Sequence, residues 1–388
     1  MISTDQIFNQ NSYADKLIEK TLRSNPKWGA RDRKIVAETI YEIVRWKRLY
    51  FSILGDSETT IKNIWLITGI HFILKNDSLP AWEEFSSLNR EEIFARNNQI
   101  KKERKIRESI PDWLDELGEK ELGDDWDSEI SALNQQAKVV LRVNELKTNR
   151  DELIKFFLQE DIVVIPHKEV SSALVLKERR NIFKSELFKS GFFEIQDVSS
   201  QLVAPALQLS PGMRVIDACA GAGGKTLHIA TILQNKGRVI ALDVDKWKLI
   251  ELQKRAKRNG IQNIEVRLIE SSKTIKRLKE SADRLLLDVP CSGLGVLRRN
   301  PDAKWKMSVE RIDGLKLTQE EILSSYQSML KPGGIMVYST CSILPSENQQ
   351  QIGKFLTNFC NYSLIEEKVI SPANSGYDGF YIAVLKKS

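Results

Sequence analysis

Two cysteines stand in short segments that could support covalent chemistry. Cys291 follows a proline in LLLDVPCSG, and Cys341 lies in VYSTCSILPSEN, directly after a strand-like run. A thiol becomes a strong nucleophile when it has solvent access and help in losing its proton, and Lys225, Arg298 or Arg299 could supply the positive charge for this. An isolated cysteine is more often a buried apolar residue. The two motifs indicate a pair of reactive thiols, with structural packing as the alternative.

The remaining cysteines and the histidines carry weaker signals. Cys219 lies in a glycine-rich loop and Cys360 follows a predicted helix, and we interpret both as structural. Histidine occurs only 3 times, and His228 falls inside a predicted helix, where packing is a better interpretation than base catalysis. Because no Cys/His spacing is typical of zinc, we expect no metal.

The glycine-rich loop, DACAGAGGKT, follows the first predicted strand of the C-terminal half. Its glycines let the backbone approach a ligand, and the next helix offers unpaired N–H groups. The Walker A spacing fails at Cys219, and the dinucleotide fingerprint fails at Thr226. Asp243, about twenty residues further on, fits a carboxylate that binds a ribose diol. The spacing favours S-adenosylmethionine over NAD, and a turn that serves only packing is the remaining alternative.

Regular alternation of strands and helices from Ile195 onwards positions these segments. The pattern predicts an α/β fold with an open, mostly parallel sheet, closed by an antiparallel pair formed by YSLIEEKVI and GFYIAVLKK. Ligands bind beyond the carboxyl ends of the strands in such sheets. The five predicted parallel strands end in polar or reactive residues, although buried strands are otherwise apolar: Asp217, Asp243, Glu270, Asp288 and Thr340–Cys341.

Two thiols near a carboxylate suit one reaction in particular. Carbon 5 of cytosine is a poor nucleophile, but a thiolate that adds to carbon 6 makes it enamine-like, so that it can attack an activated methyl group. A donor at N3 assists the addition, and a base then removes the proton from carbon 5 before the thiol leaves. Because methylation of oxygen or nitrogen needs no covalent catalyst, the residues favour methylation of a cytosine base.

Composition excludes several classes of protein. The chain has 388 residues and only 4 cysteines, too few for a disulfide framework. The N-terminus lacks the pattern of a signal peptide, and the longest apolar run, Ile64 to Leu74, is far short of the roughly 20 residues that span a membrane. We therefore expect a cytoplasmic protein, and its length and motifs favour three domains.

The net charge conceals a local excess. Lysine and arginine (58) exceed aspartate and glutamate (52) by only six, whereas residues 246–284 hold twelve basic against five acidic residues. This stretch could bind RNA phosphates in a salt-sensitive way, or it could be a solvated helix face. The same two interpretations apply to the basic run from Lys101 to Arg107, which precedes an acidic segment from Asp112 to Glu129.

The first two predicted domains precede the alternating region. Residues 1–135 are predicted to be helical, with helices over Ser12–Leu22, Arg31–Leu54 and Glu91–Arg107. Residues 136–193 predict a small α+β domain with strands in VVLRVN, DIVVIPH and SALVLK. Its helix, NRDELIKFFLQE, has Asn149 or Asp151 as the N-cap. Residues 194–388 form the third predicted domain.

In combination, DACAGAGGKT, DVPCSG, NPDAKWK, YSTCSILPSEN and DGFYIAVLKK resemble the motifs of the Sun/RsmB-type RNA cytosine-C5 methyltransferases. The resemblance is strongest over residues 193–388. Residues 138–192 are similar to the RNA-recognition-like domain of this family, and GARDRKIVAETIYEIVRWKRL resembles part of the NusB-like helical domain of its rRNA enzymes. The resemblance implies a Rossmann-like methyltransferase domain that uses S-adenosylmethionine.

We expect a monomer with no membrane or metal partner, and the same resemblance implies a protein that acts on RNA. The resemblance indicates 16S ribosomal RNA as the substrate. The alternatives are the same chemistry on tRNA or 23S rRNA, or a non-catalytic factor that binds RNA during ribosome assembly.

Matched residue by residue, the resemblance implies that Cys341 is the nucleophile and that Cys291 assists release of the methylated product. DNA cytosine methyltransferases use the Pro-Cys thiol as nucleophile instead, and spacing alone leaves this choice open. Asp288 would hold the target base near N3, and Lys225 would lie between the cofactor loop and the base.

The cofactor site implied by the resemblance has four parts. Asp243 would contact the ribose, Glu270 would stand near the adenine where the family usually has Asp, and Asp288 would border the cofactor. Ala222 replaces a frequent proline in the loop. The loop residues that would surround the methionine part are Cys219, Ala220, Gly221, Ala222, Gly223, Gly224 and Lys225.

Overall fold

The computed structural model of the chain describes residues 2–10 and 12–388 and divides into two compact units. One unit runs to Gln136 and also takes in Val296–Val309; the other comprises Ala137–Gly295 and Glu310–Ser388. The second unit contains both the predicted α+β domain and most of the predicted third domain. The three-domain division stays a prediction. Within the described residues, every helix is too short or too polar to cross a membrane.

The first unit is built from helices, as predicted. The predicted helix over Arg31–Leu54 is interrupted at Trp46, whose backbone angles (φ −102°, ψ 22°) leave the helical region. Ile40, Ile43 and Val44 are buried on one stripe, as their spacing predicts. The NusB-like character of this unit stays a prediction. The helices are α1 (Ile2–Asn9), α2 (Ala14–Ser24), α3 (Ala30–Arg45), α4 (Lys47–Leu54), α5 (Ile61–Leu74), α6 (Arg90–Ile100), α7 (Arg104–Arg107), α8 (Asp112–Leu122) and α9 (Trp126–Leu133).

The basic run of this unit pairs with its acidic segment. Arg104 contacts Asp115 at 2.7 Å, Lys105 lies 3.1 Å from Asp112, and Arg107 pairs with Asp127. These charges neutralise one another within the fold, whereas Lys101 and Lys102 are exposed. The hypothesis of nucleic-acid contact therefore applies to a smaller group of side chains than the sequence suggested.

The second unit begins with a small antiparallel sheet in the order β2-β3-β1-β4. Leu141, Phe157 and Phe193 lie in its buried core. Asn149 caps the helix by accepting a hydrogen bond from the backbone N–H of Glu152 (3.0 Å), which confirms one of the two predicted caps. The fourth strand extends two residues beyond the expected boundary at 193. The elements are β1 (Val140–Val143), α10 (Arg150–Gln159), β2 (Val164–Pro166), β3 (Ala173–Leu176), α11 (Glu186–Lys189) and β4 (Phe193–Ile195).

A larger, mostly parallel sheet follows, and its order is β10-β11-β9-β8-β5-β6-β7. The last two strands pair in antiparallel fashion, as predicted, and β11 is also antiparallel to β9. The strands are β5 (Arg214–Asp217), β6 (Arg238–Asp243), β7 (Ile264–Leu268), β8 (Ala282–Asp288), β9 (Leu330–Thr340), β10 (Tyr362–Ile370) and β11 (Phe380–Lys387). The helices that follow β4 in the chain are α12 (Val198–Gln201), α13 (Val203–Ala206), α14 (Gly224–Ile232), α15 (Lys246–Asn259), α16 (Ser272–Lys276), α17 (Ala303–Lys306), α18 (Val309–Tyr326), α19 (Gln349–Asn358) and α20 (Pro372–Ser375). Of these, α17 belongs to the helical unit.

The NPDAKWK motif belongs to the helical unit, although it was expected within the predicted domain 194–388. The Arg45 guanidinium donates to the carbonyl oxygen of Arg298 (2.9 Å), and the Trp305 indole donates to that of Val44 (2.8 Å). Lys304 is fully buried and donates to Asn134 Oδ1 (3.2 Å). The third predicted domain is therefore interrupted by a segment that packs among the helices.

The core of the small sheet predicts the effect of one substitution. Phe157→Ala removes a fully buried ring and should lower the free energy of unfolding by about 3–5 kcal/mol. Leu158→Ala is the matched control, because that side chain is 56% exposed on the same helix. Urea denaturation followed by circular dichroism measures both. Equal losses of stability would contradict the assigned core.

Candidate active site

The glycine-rich loop lies between β5 and α14 and is held by hydrogen bonds. The Gly221 N–H donates to Asp243 Oδ2 at the end of β6 (2.8 Å). Gly221 and Gly223 have φ values of 54° and 91°, in the left-handed region that favours glycine. A Cβ added to Gly223 would lie 2.6 Å from the side chain of Leu252, so a larger residue would displace the loop.

The loop leaves room for a ligand where the sequence predicts a cofactor. A Cβ added to Gly221 would meet no atom of the described residues within 4 Å, so the backbone there faces open space. Asp243 is buried at the adjacent strand end and already accepts the Asp245 N–H (2.8 Å). Each carboxylate oxygen can accept a second hydrogen bond, so a ribose diol fits this donor and acceptor set.

The two predicted reactive cysteines meet at neighbouring strand ends. Cys341 directly follows β9, Cys291 lies three residues after β8, and their Sγ atoms are 3.4 Å apart. Both side chains are partly exposed. The hydrogen bond with Cys341, together with burial, raises the pKa of Cys291 well above its usual value. Cys291 therefore stays protonated while the neighbouring sulfur is free.

A lysine and a carboxylate complete the site beside the thiols. Lys225 Nζ, in the first turn of α14, lies 2.6 Å from Asp288 Oδ2 at the end of β8. Ser339 donates its hydroxyl to Asp288 Oδ1 (2.8 Å), so both carboxylate oxygens are oriented. The Lys225 ammonium also lies 5.0 Å from the centre of the Phe380 ring. The structure thus groups Lys225 with Asp288, while Arg298 and Arg299 belong to the helical unit.

Three other residues were named from the sequence. The structure differs from the expectation for Glu270 and Cys360 and agrees with it for His228. Strand β7 ends at Leu268, so Glu270 is an exposed loop residue rather than a strand end as predicted. Cys360 is exposed, which does not fit the interpretation as a packing residue. His228 is buried, and burial, followed by the charge of Arg142, lowers its pKa well below the usual value. A neutral buried imidazole fits the predicted packing role.

The remaining loop residues combine packing with support from distant side chains. Ala220 and Cys219 pack against apolar residues of the sheet. Burial, followed by the nearby charge of Asp217, raises the pKa of Cys219 well above its ordinary value, so this thiol is poorly suited to act as a nucleophile. The Ala222 carbonyl accepts a hydrogen bond from the Arg255 guanidinium (2.7 Å), and the Gly224 carbonyl accepts one from Arg142 (2.7 Å).

The side chains that bind the carbonyl oxygens of this loop were not predicted from the sequence. Arg142 comes from β1 of the small sheet, and Glu194 of β4 pairs with Arg255 (2.9 Å) and with Arg258. These partners lie far apart in the chain, and no local pattern joins them. The only available signal was the presence of charged residues in otherwise apolar strands.

The fold and site define a Rossmann-like methyltransferase, and its cofactor is S-adenosylmethionine. A family model described as 16S rRNA methyltransferase RsmB/F matches residues 204–386, and a model for the ferredoxin-like domain of RsmF/B-type methyltransferases matches residues 110–183. The chain belongs to the RsmB/F methyltransferase family. The family membership that the motifs predict is thereby confirmed.

Individual relatives agree with this assignment. A probable ribosomal RNA small subunit methyltransferase B from Synechocystis sp. is 29% identical over 98% of this chain and 97% of its own length. The ribosomal RNA small subunit methyltransferase B of Vibrio vulnificus is 34% identical over 71% of this chain, and the match spans 66% of that protein. The crystal structure of PH0851 superposes with a TM-score of 0.84 at 24% identity, covering 100% of this chain and 97% of that one, and shares the fold.

The positive φ of Gly223 predicts that a larger residue at this position would reduce cofactor affinity. Gly223→Ala forces a side chain into a positive-φ position against Leu252, and we expect binding of S-adenosylmethionine to weaken by about tenfold. Gly314→Ala on α18 is the control, because a Cβ there meets open space and should leave binding unchanged. Isothermal titration calorimetry distinguishes the two. Unchanged affinity of the Gly223→Ala variant would show that this loop does not contact the cofactor.

The buried Asp217 predicts how stability depends on pH. Burial raises the pKa of Asp217 to about 7, although the hydroxyl of Thr226 donates to its Oδ2 (2.7 Å). Because the folded state binds the proton more tightly than the unfolded state, this residue lowers stability above pH 7 and the penalty is relieved as pH falls toward 4. Asp217→Asn should abolish this slope, at most about 1.4 kcal/mol per pH unit. Denaturation midpoints of both proteins between pH 5 and pH 8 measure it, and parallel curves would refute the assignment.

Proposed function

We propose that this protein methylates carbon 5 of a cytosine in ribosomal RNA through a covalent bond between Cys341 and the base. The observation that carries the proposal is the 3.4 Å separation of the Cys341 and Cys291 sulfur atoms at neighbouring strand ends. A methyltransferase acting on oxygen or nitrogen has no use for two adjacent thiols beside its cofactor loop.

The covalent step uses Cys341 as the attacking group. Its thiolate forms a bond to carbon 6 of cytosine, and the electrons of the double bond move to carbon 5, which becomes nucleophilic. When bound, S-adenosylmethionine would supply the electrophilic methyl group and would leave as S-adenosylhomocysteine. After carbon 5 has been methylated, it loses its proton to a base, the ring double bond re-forms, and the bond from carbon 6 to sulfur breaks.

Asp288 and Lys225 would orient the base during this sequence. Lys225 and Ser339 hold the Asp288 carboxylate at 2.6 Å and 2.8 Å, so its direction is set before the substrate arrives. A prearranged polar pair requires little reorganisation when charge develops on the ring. This supports the role near N3 that the family resemblance implies for Asp288.

Cys291 is suited to the release step because its proton affinity depends on Cys341. The hydrogen bond with the free Cys341 sulfur is the largest cause of its raised pKa. Once Cys341 is bonded to the base, its hydrogen bond with Cys291 is lost, and the pKa of Cys291 should fall toward its ordinary value. A base would thus become available at the stage where the proton on carbon 5 must leave.

Two findings support ribosomal RNA as the substrate. The matching family model is described as a 16S rRNA methyltransferase, and the Synechocystis and Vibrio relatives are named for the small ribosomal subunit. The small sheet has the β-α-β-β-α-β order of ferredoxin-like domains, which fits the predicted RNA-recognition-like domain. In this proposal the small sheet binds the RNA, and the larger sheet of the same unit performs the transfer.

Trapping experiments test the covalent chemistry. RNA containing 5-azacytidine should form a covalent adduct with the protein in the presence of S-adenosylmethionine, whereas Cys341→Ala should form none. Cys291→Ala should accumulate adduct on unmodified RNA, because release is slowed. Denaturing gel electrophoresis measures both. Adduct formation by the Cys341 variant would show that another residue attacks the base.

Sequencing identifies the modified RNA. Bisulfite sequencing of RNA from a strain that lacks the gene should reveal a 5-methylcytosine lost from 16S rRNA, with tRNA and 23S rRNA unchanged. Restoration by the wild-type gene but not by the Cys341→Ala gene would tie the mark to catalysis. Loss of a 5-methylcytosine from tRNA or 23S rRNA instead would identify that RNA as the substrate. No loss from any RNA would leave only a non-catalytic role.

A further inference from the structure

Each of the two cysteines is followed by a serine, and both serines bind the same buried carboxylate. Ser292, after Cys291, donates its hydroxyl to Glu347 Oε2 (2.5 Å) and its backbone N–H to Glu347 Oε1 (2.8 Å). Ser342, after Cys341, donates its hydroxyl to Glu347 Oε2 (2.5 Å). One side chain therefore joins the loop that follows β8 to the loop that follows β9.

The environment of Glu347 is unusual for a residue that only fills space. The side chain is fully buried, and no lysine, arginine or histidine of residues 2–10 and 12–388 forms an ion pair with it. A buried carboxylate without a cation is costly unless several donors satisfy it. Gln319 of α18 supplies a further hydrogen bond to Oε1 (3.0 Å), so that each oxygen receives two.

The surrounding contacts keep this carboxylate in place. The Gln319 amide also donates to the Pro290 carbonyl (3.0 Å), just before Cys291. The Tyr338 hydroxyl donates to the Glu347 carbonyl (2.7 Å), and Asn348 donates to the Ser342 carbonyl (3.1 Å). The loops of Cys291 and Cys341 are therefore both hydrogen-bonded to Glu347 and to the residues that hold it.

We propose that Glu347 is a positioning residue that holds Cys291 and Cys341 at the separation needed for both to act on one base. The inference rests on the proposed covalent mechanism. Glu347 itself lies beneath the loops and acts through Ser292 and Ser342. A charged carboxylate forms stronger hydrogen bonds than a neutral side chain. These bonds therefore keep the distance between the two sulfur atoms nearly constant.

The two serines allow the steps to be separated. Ser342→Ala frees the loop of Cys341 and should slow formation of the 5-azacytidine adduct by about tenfold. Ser292→Ala frees the loop of Cys291 and should leave adduct formation unchanged on that RNA, while adduct on unmodified RNA accumulates. Glu347→Gln removes the charge and should produce both effects, with the affinity for S-adenosylmethionine unchanged.

Ser324→Ala on α18 is the matched control, because its exposed hydroxyl donates only within its own helix, to the Glu321 carbonyl. Single-turnover rates of adduct formation and release, with thermal midpoints, are measured for each variant. Equal slowing of both steps by either serine variant, in proportion to lost stability, would reduce Glu347 to a purely structural role. If Glu347→Gln does not fold, the two serine variants still test whether Glu347 positions the cysteines.

The outcomes distinguish this inference from the mechanism on which it rests. If the wild-type protein forms no adduct with 5-azacytidine RNA, the proposed covalent function fails. If the wild-type protein forms adduct and the two serine variants do not separate formation from release, only the positioning role of Glu347 fails.

Discussion

The parallel pairing of β8 with β5 on one side and β9 on the other is the constraint on which the site depends. In this register Asp217 is level with Leu286, and Asp288 is level with Ser339. Because parallel strands present their carboxyl ends at one edge, the glycine loop, Asp288 and the two cysteine loops meet there. A slip by one residue would turn Asp288 to the opposite face of the sheet and break its contacts with Lys225 and Ser339.

Buried charges connect this edge to the small sheet. Arg142 and Glu194 leave the small sheet and reach, directly or through Arg255, the carbonyl oxygens of the cofactor loop. Burial, opposed in part by the charge of Glu194, lowers the pKa of Arg142 to about 9, so its charge is retained at neutral pH. Glu194 is buried and pairs with Arg255 and Arg258, and loss of these partners would leave its charge uncompensated, which is strongly destabilising. The cofactor loop and the predicted RNA-recognition-like domain are thus joined within one compact unit.

Several basic side chains of residues 246–284 also form contacts within the fold. Arg255 and Arg258 bind Glu194, and Arg284 donates to the Leu207 carbonyl (2.7 Å), so these charges contribute to the fold. The hypothesis of RNA contact stays a prediction and narrows to the exposed basic side chains of this stretch, which are Lys246, Lys254, Lys257, Lys273, Lys276, Arg277 and Lys279. A net charge counted along the chain does not distinguish these two uses.

Periodicity and turn residues act within a few positions, so the alternating elements, the glycine loop and the position of Cys291 and Cys341 after two strands could be predicted from the amino-acid sequence. Three contacts could be known only from the folded chain: Lys225 pairs with Asp288, Glu347 joins two serines 50 residues apart, and Val296–Val309 packs among the helices. The structure also places Glu270 beyond the end of its strand. Such contacts depend on strand order and burial, and no local pattern encodes either.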